Sequence, residues 1–197
     1  MKNFTYLFLF FLFLIGCATK PQIKTFYNCA FSPNLDYSKN YRTIVLPVTT
    51  EVVQNIDSNL INVLYNFTSL KLLRIGKFSL IERMKVEKLI KEQDFGISGK
   101  IDIKTAAKIG KILGAEIVVL TEIDELKPVP LLDNQYDSLV YIRLIDSTTG
   151  EILYYAEGDA GPFTIGTIDS LKCSIAKALE PLFYRYGIEF YHGSLNK

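Results

Sequence analysis

AEIVVLTEI, Ala115 to Ile123, constrains this chain more than any other stretch. Almost every side chain in it is apolar or β-branched, so a strand built from it needs cover on both faces. Such a strand belongs in the middle of a sheet. The segments before it alternate between strand and helix patterns. YRTIVLPV (Tyr41 to Val48) reads as a strand with Pro47 marking its end. Val53, Ile56, Leu60, Val63, Leu64 and Phe67 recur at helical spacing. FSLIE (Phe78 to Glu82) is a second strand, and Val86, Leu89, Ile90 and Gln93 line a helix starting near Arg83. A loop from Phe95 to Lys100 follows. Asp102 can cap the next helix, whose inner face is Ile103, Ala106, Ala107, Gly110 and Leu113, with Gly114 as its stop.

After the central strand, Leu126 to Tyr136 is polar, carries Pro128 and Pro130, and reads as a loop. SLVYIRLID and EILYYAEG alternate and are joined by STTG, a hairpin pattern. Ile168, Leu171, Ile175, Leu179 and Leu182 mark a last long helix that Pro181 should kink or end, and GIEFYHG suits a short edge strand. The expected order is β-α-β-α-α-β-β-β-α. That is an α/β (α+β) domain with a mixed sheet flanked by helices.

The chain opens on MKNFTYLFLFFLFLIGCATK. As a helix, Tyr6 to Ile15 would span roughly 15 Å, half the ~30 Å of a hydrocarbon core. It therefore reads as an export signal rather than a membrane span. Leu14-Ile15-Gly16-Cys17 resembles a bacterial lipobox, in which the cysteine takes a diacylglycerol and the signal is cut before it. The expected organisation is a signal over residues 1–16, a lipidated tether over 17–40 and a globular domain over 41–197. Neither Ala18 nor Thr19 is the aspartate of the inner-membrane retention signal, which leans toward the outer membrane. In such a compartment Cys29 and Cys173 either pair or stay free.

Lys and Arg total 22 against 21 Asp and Glu, so no basic excess supports nucleic-acid binding. His192 is the only histidine, which starves triads and histidine metal sites. No C-x-x-C, phosphate loop or G-x-G-x-x-G occurs, and no cofactor is expected. Glu82 and Glu92 bracket one helix, about 15 Å apart at ~1.5 Å per residue, too far for the ~5–9.5 Å of paired acid catalysis. Glu122, Asp124 and Glu125 read as solvated acids at a strand end. The chain is not expected to be an enzyme.

Five pieces in order then carry a family likeness. They are Glu82-Arg83, Glu92-Gln93, Leu113-Gly114-Ala115-Glu116, Arg143-Leu144-Ile145-Asp146 and Thr149-Gly150-Glu151. Between Tyr41 and Tyr155 the chain resembles the CsgG family, the curli-production assembly lipoproteins. The resemblance implies a mixed sheet with helices in a lipid-anchored envelope protein. The curli member forms an oligomeric pore to which each subunit gives two β-hairpins. A membrane hairpin needs ~9–11 residues per strand, about 20 with its turn. Here the first location offers only thirteen residues, Leu126 to Ser138, and the second nine, Gly158 to Gly166. The expected protein is a member without a pore of its own. It is tied to the membrane through Cys17 and works by contacts with envelope proteins, with self-association open. The alternative is a subunit of an oligomeric export complex for curli-like or other surface polymers.

Overall fold

The computed structural model describes residues 28–50, 57–92, 101–161 and 164–190. Its strands are β1 (Cys29–Phe31), β2 (Tyr41–Val45), β3 (Thr49–Thr50), β4 (Phe78–Leu80), β5 (Ile117–Pro128), β6 (Gln135–Asp146), β7 (Ile152–Asp159) and β8 (Thr164–Ile165). Its helices are α1 (Ser58–Ile75), α2 (Arg83–Glu92), α3 (Ile103–Leu113) and α4 (Thr167–Arg185). The strands form one mixed sheet in the order β1-β7-β6-β5-β2-β4, with β3 beside β5 and β8 beside β6. β2 runs parallel to β4 and β5, whereas β5, β6, β7 and β1 are antiparallel neighbours. The expected mixed α+β layering is what the chain adopts.

β5 is central, as its composition requires. Its side chains alternate between two cores. Ile117, Val119 and Ile123 face α1 and α4, together with Ile142, Leu144, Leu171 and Ile175. Val118 and Leu120 face α2 and α3, with Ile44, Val86, Ile90, Ala106 and Ile109. Asp102 caps α3 by accepting the Thr105 N–H at 2.9 Å, and Gly114 ends it at φ 66°. Gly110 must be glycine because α3 lies against the sheet there: an added Cβ would sit 2.8 Å from the Ser147 Cβ and clash with Val118.

Several local readings change. Leu126 to Tyr136 is a loop only over 129–134. β5 continues to Pro128 and β6 begins at Gln135, with Lys127 opposite Asp137 and Pro128 opposite Tyr136. Lys127 and Asp137 belong to a strand pair with one watery face, where opposite charges across the ladder are favourable. A register shift between Ile123 and Glu125 marks where the helix-covered half of β5 ends. The expected tether contributes β1, and Ser32 and Asn34 donate to the Glu151 carboxylate at 2.5 and 2.9 Å.

α1 starts at Ser58 behind the Asp57 cap, so Val53 and Ile56 lie outside the described residues, as do Gln93, the 95–100 loop, Cys17 and His192. α4 runs through buried Pro181 to Arg185. The end of the helix is held by the sheet side: the Tyr154 hydroxyl donates to the Ala178 carbonyl at 2.5 Å. Ile188 to Phe190 is not a strand but packs its apolar side chains on the main core. Cys29 and Cys173 are not joined by a disulfide.

Candidate functional site

The signature residues hold corners of the fold together. Arg83, at the start of α2, pairs with Glu87 at 2.5 Å, donates to Asn62 on α1 and lies 4.5 Å from the Tyr65 ring centroid. It fastens α2 to α1. Glu82 is exposed at the strand-to-helix junction, and Glu92 meets Lys88 one turn back at 3.7 Å. Gly114 and Ala115 close α3: the Ala115 N–H donates to Gly110 at 2.9 Å, and Ser147 donates to the Ala115 carbonyl at 2.5 Å. Asp146 accepts the N–H groups of Thr148 and Thr149 at 2.7 and 2.8 Å. Gly150 follows at φ 76°, and Glu151 receives Ser32 and Asn34, which holds its carboxyl below the usual range. These are turn and cap chemistry.

Arg143 alone among them sits in a different setting. Beyond Leu120, the face of the sheet that carries α2 and α3 displays Glu122, Tyr141, Arg143 and Tyr155, none of which joins the core beneath those helices. Strand register puts them together, since Glu122 pairs with Tyr141 and Arg143 with Tyr155. Arg143 binds Glu122 at 2.7 Å, with side-chain exposures of 17% and 7%. Its guanidinium lies 5.4 Å from the Tyr155 ring centroid and 6.0 Å from that of Tyr141. The two tyrosines stack at 5.7 Å with an interplanar angle of 21°. Burial, with Asp124 and Glu157 adding negative charge, pushes the Tyr141 phenol up.

Glu122 is therefore not a solvated acid at a strand end. It is inside β5 and ion-paired. The signal that could have found the cluster is alternation: Tyr141 and Arg143 in VYIRLID, and Tyr155 in YYAEG, fall on one face. A shielded guanidinium–carboxylate pair beside two stacked tyrosine rings is a partly desolvated polar and aromatic patch. Arg and Tyr are the residues enriched where protein contacts carry energy. Among the described residues, no group of three or more His, Cys, Asp or Glu is arranged to hold a metal. No described helix is long and apolar enough to cross a membrane.

A mixed sheet between two helix pairs, with turn signatures at its corners, defines a CsgG-like class of domain. Residues 39–126 match the family model of the curli production assembly/transport component CsgG, and over that stretch the chain is similar to this family. The matched range ends before Arg143 and the Thr149-Gly150-Glu151 turn. Among solved structures, a point variant of the PelC dodecamer from Paraburkholderia phytofirmans is similar at 16% identity and TM-score 0.52, covering 78% of this chain and 96% of that one. The LpoB C-terminal domain from Escherichia coli is similar at 15% identity and TM-score 0.46, covering 62% and 83%. Lipoprotein GNA1162 from Neisseria meningitidis follows at 19% identity and TM-score 0.45, covering 60% and 81%. At these identities the likeness to PelC is one of fold. No curated protein matches the sequence.

Proposed function

We propose that this is a lipid-anchored envelope protein that works through protein contacts in the assembly, export or regulation of an envelope structure, without a pore of its own. The observation that carries the reading is the Glu122–Arg143–Tyr141–Tyr155 cluster on the half of the sheet that no described helix covers. Its chemistry suits a protein partner and offers no nucleophile–base pair. The β5–β6 hairpin supports the absence of a pore: it turns between Pro128 and Gln135, and its strands are also core strands of the domain. Membrane attachment is assigned to diacylglycerol on Cys17, with the domain on the periplasmic side of the outer membrane.

A second reading has one observation in its favour. PelC, the fold neighbour above, is a dodecamer, so self-association into an export assembly is the alternative. Native mass measurement and planar-bilayer conductance of the full-length protein separate the two. The first reading expects no ring and no conductance. A closed ring favours the alternative, and steady channels contradict the claim that the chain makes no pore.

A further inference from the structure

Four exposed aliphatic side chains lie at one end of the sheet. Leu131 is 103% and Leu132 40% exposed in the β5–β6 turn, Ile165 is 63% exposed on β8, and Ile168 is 40% exposed in the first turn of α4. β8 gathers them: Ile165 pairs with Gln135, and the Gly166 N–H donates to the Asn134 carbonyl at 2.8 Å. The turn holds Leu131 at φ 68° and Asn134 at φ 55°, a region non-glycine residues seldom occupy. An apolar side chain is thus held outward on a backbone that has no local reason to favour it.

The chain also enters the domain from this end. β1 is antiparallel to β7, with Cys29 opposite Ala156 and Phe31 opposite Tyr154. Its first residues therefore lie toward the end of β7 that leads to the tip, and the Glu157 N–H donates to the Asn28 carbonyl at 2.9 Å. Cys17 stands eleven residues before Asn28. An extended chain covers at most ~3.6 Å per residue, about 40 Å for that separation. A lipid on Cys17 would let the tip end of the domain reach the bilayer. Around the tip, Lys127 stands opposite Asp137, Lys172 lies 3.9 Å from Asp169 and Lys177 donates to the Asp159 carbonyl, while Asp133 lies in the turn, so there is no basic surplus to seek anionic headgroups.

We propose that the β5–β6 turn, β8 and the first turn of α4 form a bilayer-contact surface. Anchored through Cys17, the domain rests this tip on the membrane and sinks Leu131, Leu132, Ile165 and Ile168 into the boundary between headgroups and acyl chains. The attachment is apolar and shallow, as for an interfacial element rather than a span. The orientation rests on the lipid-anchor reading; the contact itself does not.

The chain has no tryptophan, so each introduced indole is a sole reporter. Full-length Leu131→Trp, Ile165→Trp and Ile112→Trp proteins are reconstituted into phosphatidylcholine vesicles with brominated acyl chains. Ile112, 49% exposed near the end of α3, lies at the opposite end of the sheet. The proposal expects blue-shifted, quenched emission at 131 and 165 and unquenched emission at 112. Unquenched emission at both tip positions in protein that floats with the vesicles overturns it, as does equal quenching at all three. Adding phosphatidylglycerol should change nothing; quenching that depends on it contradicts an apolar contact. Flotation of a Cys17→Ser variant reads the anchor separately. If that variant still floats, the lipid reading fails while tip quenching still decides the tip. If it detaches and the tryptophans at 131 and 165 stay unquenched in the otherwise unaltered anchored protein, the anchor stands and the tip proposal falls. Wild-type protein that never floats overturns both.

Discussion

Arg143 and Glu122 pose the sharpest energetic question at the level of single residues. With most of both side chains out of water, their ion pair should couple far more strongly than a surface pair. A double-mutant cycle with Glu122→Gln and Arg143→Met should give an interaction energy above about 1 kcal/mol, against ~0.2–1 for exposed pairs. Denaturant unfolding measures it, and near-additivity would mean the pair is effectively solvated. Gly158 makes a second test. An added Cβ there would stand 2.7 Å from the Ala178 nitrogen and run into the Ser174 carbonyl, both backbone atoms of α4. Gly158→Ala should cost about 1–3 kcal/mol or more, because helix and strand must separate rather than a side chain swing away. An unchanged unfolding midpoint would contradict that close approach. Neither residue advertises itself in the sequence. Arg143 stands out there only as part of a family pattern, and Gly158 as the edge of a short loop, because the groups that give each its meaning lie on other elements.

Helices and strands show where sequence reading holds. α3 is fully legible: an Asp cap, a stripe of small and apolar residues and a terminal Gly act within one segment, and the structure uses each. Its cap is testable. The Thr105 hydrogen bonds hold the Asp102 carboxyl below its ordinary value of 3.8. A lowered folded pKa means that the stability it contributes is present above the unfolded value and lost as pH falls through the folded one. Asp102→Ala should cost about 1 kcal/mol at neutral pH, and the difference from wild type should shrink in acid below pH ~4. A penalty that persists unchanged at low pH would place the effect elsewhere.

The β5–β6 extension is illegible for the opposite reason. Charges and prolines usually mark loops, yet here Lys127 and Asp137 face each other on a strand pair. Only knowledge that no described helix covers this stretch makes the pattern readable as strand. The Ser170 and Ser174 hydroxyls, 2.8 and 2.7 Å from that of Ser138 in the interface of α4 and β6, are equally hidden. Three scattered serines say nothing until β6 and α4 are packed.

At the scale of the whole molecule, the central strand and the alternation around it are sufficient to predict a mixed sheet between helices. They cannot supply β1, β3 and β8, strands of two or three residues whose pairing partners are remote in sequence. Signature acids spend themselves on turns and caps, and the one shielded charged cluster described above is assembled by strand register on a sheet face. Such a molecule presents surfaces. A CsgG-like domain of this kind should fold without any ligand and should lose partner contact, not stability alone, when the open face is altered.

Site-specific photo-crosslinking in the native envelope tests this most directly. With a photoreactive amino acid at position 155, on the half of the sheet that no described helix covers, the account predicts a discrete protein adduct that weakens in the Arg143→Met background. The same probe at Tyr184, 52% exposed on the outer side of α4, should give none. No adduct at 155, or indistinguishable adducts at 155 and 184, would contradict the claim that this chain works through that face.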